Sequence, residues 1–251
     1  MVANGMSTNG KGFFITFEGP DGCGKSTQAR LLVAWLRERG VVAVHTFQPG
    51  GTALGRELRR LLLDRGVPVQ PVAEMLLMAA DRAQHVEEVI QPALRRGAVV
   101  VCERFVDSSI AYQGAGMGVP EAHIRQVNAI ATGGLSPDLT VFLDLDPSQA
   151  FAKPGAGPDR IEGRGLEFQR AVWRGYHRLM AQEPGRWVRI PVEGRPVEAV
   201  QADVRRAVLA RLPAAARAQA KSPGREAGRK AGGEAGTAPA VDAAPEAGTA
   251  P

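Results

Sequence analysis

Gly19-Pro20-Asp21-Gly22-Cys23-Gly24-Lys25-Ser26 lies between an apolar run, Phe13-Phe14-Ile15-Thr16-Phe17, and a helical pattern from Thr27 to Arg39. The octapeptide is GxxxxGK[ST] set between a strand and a helix, the context in which that motif carries its chemistry. Glycines at 19, 22 and 24 permit backbone conformations in which successive N–H groups turn inward around a phosphate. The helix N-terminus adds positive potential at the same point. Gly19, Pro20, Asp21, Gly22, Cys23, Gly24, Lys25, Ser26 and Thr27 are therefore the expected ATP cradle. Within it Lys25 reaches the β- and γ-phosphates and the Ser26 hydroxyl is a Mg²⁺ ligand. The plainer reading is a Gly-rich turn before a helix.

Outward from this loop, short apolar runs recur at Val41–Phe47, Val99–Cys102, Leu139–Leu145 and Trp187–Val192. Helical patterns alternate with them: Leu54–Asp64, Val72–Arg96, Glu121–Thr132, Leu166–Gln182 and Pro196–Leu212. Buried strands alternating with helices predict an α/β fold with a parallel central sheet, whose ligands bind outside the carboxyl ends of the strands.

The 251 residues are 44% hydrophobic, enough for a full core. No apolar run approaches the ~18 residues of a membrane span. Residues 1–12 are polar and Gly-rich, without the apolar centre of a secretory signal, and are expected to be a flexible segment. Cys23 falls in the phosphate loop and Cys102 in an apolar strand, which argues against a disulfide framework and suits a reducing cytoplasm. The formal charge of +5 invites a nucleic-acid reading, but only 5% of residues are aromatic and Lys and Arg are interspersed with 26 acids. A single-strand stacking platform needs more aromatic surface, so no nucleic-acid partner and no membrane partner are expected. After Trp187 no aromatic residue occurs, and EAGTAP appears at both 234–239 and 246–251. Residues 214–251 are read as a disordered tail, because such a composition cannot bury enough apolar surface to offset its ordering entropy.

Three further segments bear on the acceptor. Phe47-Gln48-Pro49-Gly50-Gly51-Thr52 follows the second strand. Glu74 to Val86 is a helix carrying Arg82, which alone reads as a solvated charge. Cys102-Glu103-Arg104-Phe105, with Ser108-Ser109 and Ala111-Tyr112-Gln113-Gly114, puts an acid and an arginine at a strand's carboxyl end, suited to Mg²⁺ and phosphate. Buried strand-end ion pairs also occur for structural reasons.

Together these segments resemble the thymidylate kinases, whose bacterial members read EGxxGxGKST, REPGGT, FAADRAQHV, DRY...S..AYQG, PDLT..LD and DRIE in that order. The counterparts here are Glu18–Thr27, Phe47–Thr52, Met78–Val86, Glu103–Gly114, Pro137–Asp144 and Asp159–Glu162, within residues 13–205. The resemblance implies a P-loop NTPase fold, three layers α/β/α around a five-stranded parallel sheet, with a nucleotide kinase domain over residues 13–213 and a short lid over 151–165. It implies phosphoryl transfer from ATP-Mg²⁺ to dTMP, a step towards dTTP, by a homodimer. Residue by residue it brings Asp21 to the acceptor sugar, Arg82 to the thymine edge and Arg104 to the dTMP phosphate. Tyr112 lies against the sugar, Ser109 and Gln113 line the same pocket, and Phe47, Pro49 and Met78 complete it. Glu103 joins Ser26 in holding Mg²⁺.

Four departures qualify the likeness. Phe47-Gln48 replaces Arg-Glu, Met78 replaces a phenylalanine that stacks on thymine, and Glu103 replaces Asp, displacing the carboxylate by one methylene. The lid is short and poor in arginine, and the phosphate loop has none. Lys153 or Arg160 is therefore expected to supply the catalytic charge that lid arginines bring in relatives. Other readings are a related kinase with altered base choice, from Met78 and Phe47, and a weakly catalytic nucleotide-binding protein, from the lid.

Overall fold

The structure, a computed structural model, describes residues 12–64, 66–150, 160 and 162–221. Lys153, most of the expected lid, nearly all of the N-terminal segment and the tail beyond residue 221 lie outside the described residues.

In chain order the elements are β1 (Phe13–Glu18), α1 (Lys25–Glu38), β2 (Ala43–Phe47), α2 (Ala53–Leu63), α3 (Pro71–His85), a π-turn (Val86–Ile90), α4 (Gln91–Arg95), β3 (Val99–Glu103), α5 (Val106–Ser109), a π-helical stretch (Ile110–Gly116), α6 (Glu121–Thr132), β4 (Leu139–Asp144), α7 (Pro147–Ala150), a 3₁₀ turn (Glu162–Arg164), α8 (Leu166–Gln182), β5 (Trp187–Pro191), α9 (Val197–Arg211) and α10 (Ala214–Lys221). The sheet has five strands in the order β2-β3-β1-β4-β5, and every pairing is parallel. The three-layer α/β/α expectation holds.

Strand alternation decides what each face carries. Phe13, Ile15 and Phe17 of β1, with Val99 and Val101 of β3, pack against Leu32 and Leu36 of α1 and Val204 and Val208 of α9. On the other face Phe14, Val100 and Cys102 meet Val86, Ile90 and Phe105. Phe142 of β4 joins Tyr176, Ile124 and Tyr112 there. The register aligns Phe17, Glu103 and Phe47 across β1, β3 and β2. Three carboxyl ends thus finish side by side, and their following loops converge.

Two expectations need correction. The single helical pattern Val72–Arg96 is interrupted by the π-turn, in which Gln91 N–H returns to Val86. Pro92 has no N–H to continue the regular ladder, so the offset is absorbed just before it. Residues 214–221, expected as the start of a disordered tail, are instead ordered. Ala214–Lys221 is a helix rich in alanine, the best helix former. Ala220 is buried and Ala216 packs on the α1-side core, while Arg217 caps the Leu212 carbonyl with two bonds of 3.0 and 2.7 Å.

Candidate active site

Gly19 opens the phosphate loop at φ 143°, and a Cβ there would lie 2.5 Å from the Leu143 carbonyl oxygen. The loop therefore leaves β1 pressed against the end of β4, where only glycine fits. Gly24, at φ 94°, begins α1 without any side-chain cap, and the first turn contains no acid. The free amides at that end are thus available to an anion. Lys25 is buried and folds over the loop, donating to the Gly19 and Pro20 carbonyls at 3.0 and 2.7 Å. Its Nζ stands 4.0 Å from Asp21 Oδ1. Ser26 donates to Glu103 Oε2, and His45 Nε2 is 2.7 Å from Glu103 Oε1. Burial pushes the Glu103 carboxyl up, but the bonds from His45 and Ser26 outweigh it and hold the group below the usual carboxylate range.

Beside the loop opens a cavity of about 130 Å³ lined by Asp21, Gln48, Pro49, Arg59, Leu63, Met78, Arg82, Arg104, Ser108, Ser109, Tyr112 and Gln113. Asp21 faces both it and the phosphate loop. Its Oδ1 accepts from Arg104 Nη2, and its Oδ2 accepts from the Tyr112 hydroxyl at 3.0 Å. Burial raises the Asp21 pKa, yet Arg104, Lys25 and Tyr112 together bring it below the ordinary value. Arg104 adopts φ 64°, the sole non-glycine positive φ among the described residues. Such a conformation costs about 1–3 kcal/mol and persists where its surroundings over-determine it. Here Arg104 N–H bonds the Phe17 carbonyl at 2.9 Å. Its guanidinium donates to Asp21 and reaches Gly19 O at 3.3 Å, and it lies 5.0 Å from the Tyr112 ring centre.

Behind Arg104, Glu18 is fully buried and accepts from Phe105 N–H (2.8 Å), Ser108 (2.6 Å) and Tyr176 (2.9 Å). Burial and then the nearby Asp107 raise its pKa.

Arg82 is not a solvated helix charge. It is 2% exposed and donates to Gln48 (3.0 Å), Ser109 (3.1 Å), Asn128 (2.5 Å) and the Phe105 carbonyl (3.0 Å). Gln48 in turn meets His85 Nδ1 at 2.9 Å, and His85 Nε2 meets Thr46 at 2.5 Å. Burial, then the charge of Arg82, pull the His85 imidazole down to about 4. An unfolded histidine titrates near ~6.5, so between the two values the unfolded chain binds more protons and stability falls as pH falls, by about 3 kcal/mol. Thermal unfolding should show this loss between about pH 6.5 and 4. His85→Gln should flatten that limb; an unchanged limb would assign the acid sensitivity to other groups.

Two candidates sit elsewhere than expected. Phe47 does not line the cavity. It ends β2 on the α1 face and packs on Gly50, whose Cβ position would be 2.8 Å from Phe47 Cε2, with Arg59 5.9 Å from its ring centre. Arg160 does not contact the phosphate loop: it donates to the Leu62 carbonyl at 2.8 Å and to Glu74 at 2.7 Å. Glu74 is fully buried and also accepts from Arg164 (2.6 Å) and Gln113 (2.9 Å). An unpaired carboxylate there would be costly, which explains why it captures both arginines. Thr27 is exposed on the first turn of α1.

Sequence reasoning missed Arg59 and Leu63 in the cavity and His45 beside Glu103, and it quoted Gln48 and Ser108 within their segments without giving either a role. The helical pattern of α2 put Arg59 and Leu63 one turn apart on one face, a usable signal. His45 had none, because its partner lies 58 positions away.

A family model described as thymidylate kinase matches residues 17–204. The chain is 54% identical over 202 residues to a thymidylate kinase of Synechococcus sp. (strain JA-2-3B'a(2-13)), covering 80% of this chain and 97% of that protein. It is 47% identical over 204 residues to one from Deinococcus radiodurans, covering 80% and 98%. The solved thymidylate kinase from Ehrlichia chaffeensis superposes with a TM-score of 0.66 at 33% identity, covering 78% of this chain and 97% of that one.

Proposed function

The chain belongs to the thymidylate kinase family, and from that premise we propose how its residues divide the work of phosphorylating dTMP. The activity is transfer of a phosphoryl group from ATP to dTMP, giving dTDP on the route to dTTP. The observation that carries the residue assignment is the position of Asp21 and Arg104, between the phosphate loop and the neighbouring cavity.

Phosphoryl transfer asks mainly for alignment and neutralisation of charge, with no covalent intermediate on the protein. Residues Gly19 to Thr27 bind the ATP phosphates, and Lys25 neutralises charge on the transferring group. Arg104 holds the acceptor phosphate. Asp21 and Tyr112 engage the sugar, and Tyr112 crowds its 2′ side. Arg82, Met78, Ser109, Gln113 and Pro49 bound the base, with Arg59 and Gln48 at the same cavity. Arg160, engaged by Glu74, belongs to the acceptor side, which leaves Lys153 as the lid cation for the donor. Ser26 and Glu103 are hard oxygen donors in mutual contact, a set that suits Mg²⁺. A Mg²⁺ ion held by these two residues would supply neutralisation of phosphate charge during transfer.

A coupled ADP-release assay with dTMP, dUMP, dCMP and dGMP tests the reading. Turnover should be fastest with dTMP; a higher kcat/KM for another monophosphate would overturn the base assignment.

We further infer a homodimer. Leu54, Val72, Leu76 and Ile130 are exposed on α2, α3 and α6, Ile130 to 84%, and α3 packs against both other helices. Exposed apolar side chains on helices packed in this way suit association. Sedimentation equilibrium at micromolar concentration should return twice the chain mass; a monomer would rule the dimer out. No described helix is long and apolar enough to cross a membrane, and a cytoplasmic site of action fits two cysteines that form no disulfide.

A further inference from the structure

We propose that His45 is a positioning residue for Glu103, holding the longer carboxylate so that its second oxygen is presented beside Ser26. The inference rests on the reading of Ser26 and Glu103 as the Mg²⁺-holding pair. His45 and Glu103 stand on neighbouring parallel strands, with His45 opposite Val101 and Phe47 opposite Glu103. Side chains two apart on a strand share a face. His45 therefore lies on the α1 face with Ala43, and Glu103 on that face with Val99 and Val101, as diagonal neighbours. Thr46, one position on, points the other way and meets His85.

Among the described residues the Glu103 carboxylate has two hydrogen-bond partners. Oε1 meets His45 Nε2 at 2.7 Å and Oε2 accepts from Ser26. One oxygen is thus tethered to the sheet and the other is left for the loop. The family pattern has Asp at this position. A glutamate adds a methylene and one more free torsion, and its final torsion is broad and weakly restrained. A second anchor removes that freedom. The His45 side chain is 24% exposed and that of Glu103 11%, so the bond is partly shielded from competing water. A hydrogen bond that orients a metal-holding group typically changes metal affinity by about 10–100-fold when removed. A histidine that merely fills a strand position would affect stability alone.

The test uses Mn²⁺ as an EPR-visible probe, titrated into the full chain with the non-hydrolysable β,γ-imido analogue of ATP. His45→Phe, which keeps bulk and strand propensity, should weaken Mn²⁺ binding about tenfold. His45→Gln, which keeps an N–H donor, should stay within about threefold of wild type. In a Glu103→Asp background the added methylene that His45 restrains is gone, so His45→Phe should lose its effect, to within about twofold. Ser26→Ala separates the two levels of inference. If it weakens Mn²⁺ binding while His45→Phe does not, the role of His45 is wrong and the metal pair stands. If neither variant changes the affinity, the metal pair is misassigned and the proposal falls with it. Should His45→Phe fail to fold, equal Mn²⁺ affinities of His45→Gln and His45→Leu would likewise overturn it.

Discussion

Lys25→Ala is expected to lower kcat for dTMP phosphorylation by about 10³, from the range seen when a single transition-state charge donor is removed. The ammonium is buried against the loop by the Gly19 and Pro20 carbonyls. It is the one cation the phosphate loop itself contains. Charge spreads over the equatorial oxygens of the transferring phosphoryl group, so an interaction that strengthens there lowers kcat when lost, more than it raises KM. The ADP-release assay reads this directly, with a matched circular-dichroism spectrum as the folding control. Turnover within tenfold of wild type would remove Lys25 from the chemistry.

Arg104→Ala should reduce kcat/KM for dTMP by about 10²–10³, chiefly through KM, because truncating one partner of a buried charge pair costs about 2–5 kcal/mol. KM for ATP should change far less. The same substitution strips Asp21 of the strongest charge that holds its carboxyl down, so acid inactivation should move to higher pH. A second comparison isolates the backbone. At φ 64° glycine is unstrained where alanine is not, so Arg104→Gly should be more stable than Arg104→Ala by about 1 kcal/mol while remaining as inactive. Equal stabilities would mean that the left-handed turn relaxes on substitution. An unchanged KM for dTMP would take Arg104 away from the acceptor phosphate.

Much of the site was legible because its signals are local. Strand, Gly-rich turn and helix follow one another within a few residues, and Gly19, Gly24, Lys25 and Ser26 carry roles set by backbone geometry at that spot. Glu103, Arg104, Ser109, Tyr112 and Gln113 lie on one short segment leaving one strand. What stayed illegible involves residues whose partners come from other elements. Arg82 on its helix resembled a surface charge, and the four acceptors that bury it come from β2's loop, β3's loop, α5 and α6. Arg160 was placed by charge requirement at the phosphates, whereas a buried carboxylate 86 positions away claims it. Motif alignment puts Phe47 in the pocket, yet its ring is absent from the cavity lining and packs behind it, on Gly50 and on the Arg59 side chain.

The sequence by itself determined the phosphate loop, the alternation of strands and helices, and the order of motifs that carries the family likeness, because each depends on neighbours within one turn or one strand. Only the tertiary structure decided the pairing of charges. Which carboxylate meets which arginine depends on burial and on strand register, quantities no local stretch contains. Hence Glu74 holds Arg160 and Arg164, Asp21 holds Arg104, and Glu103, one methylene longer than the family pattern, finds His45 across the sheet.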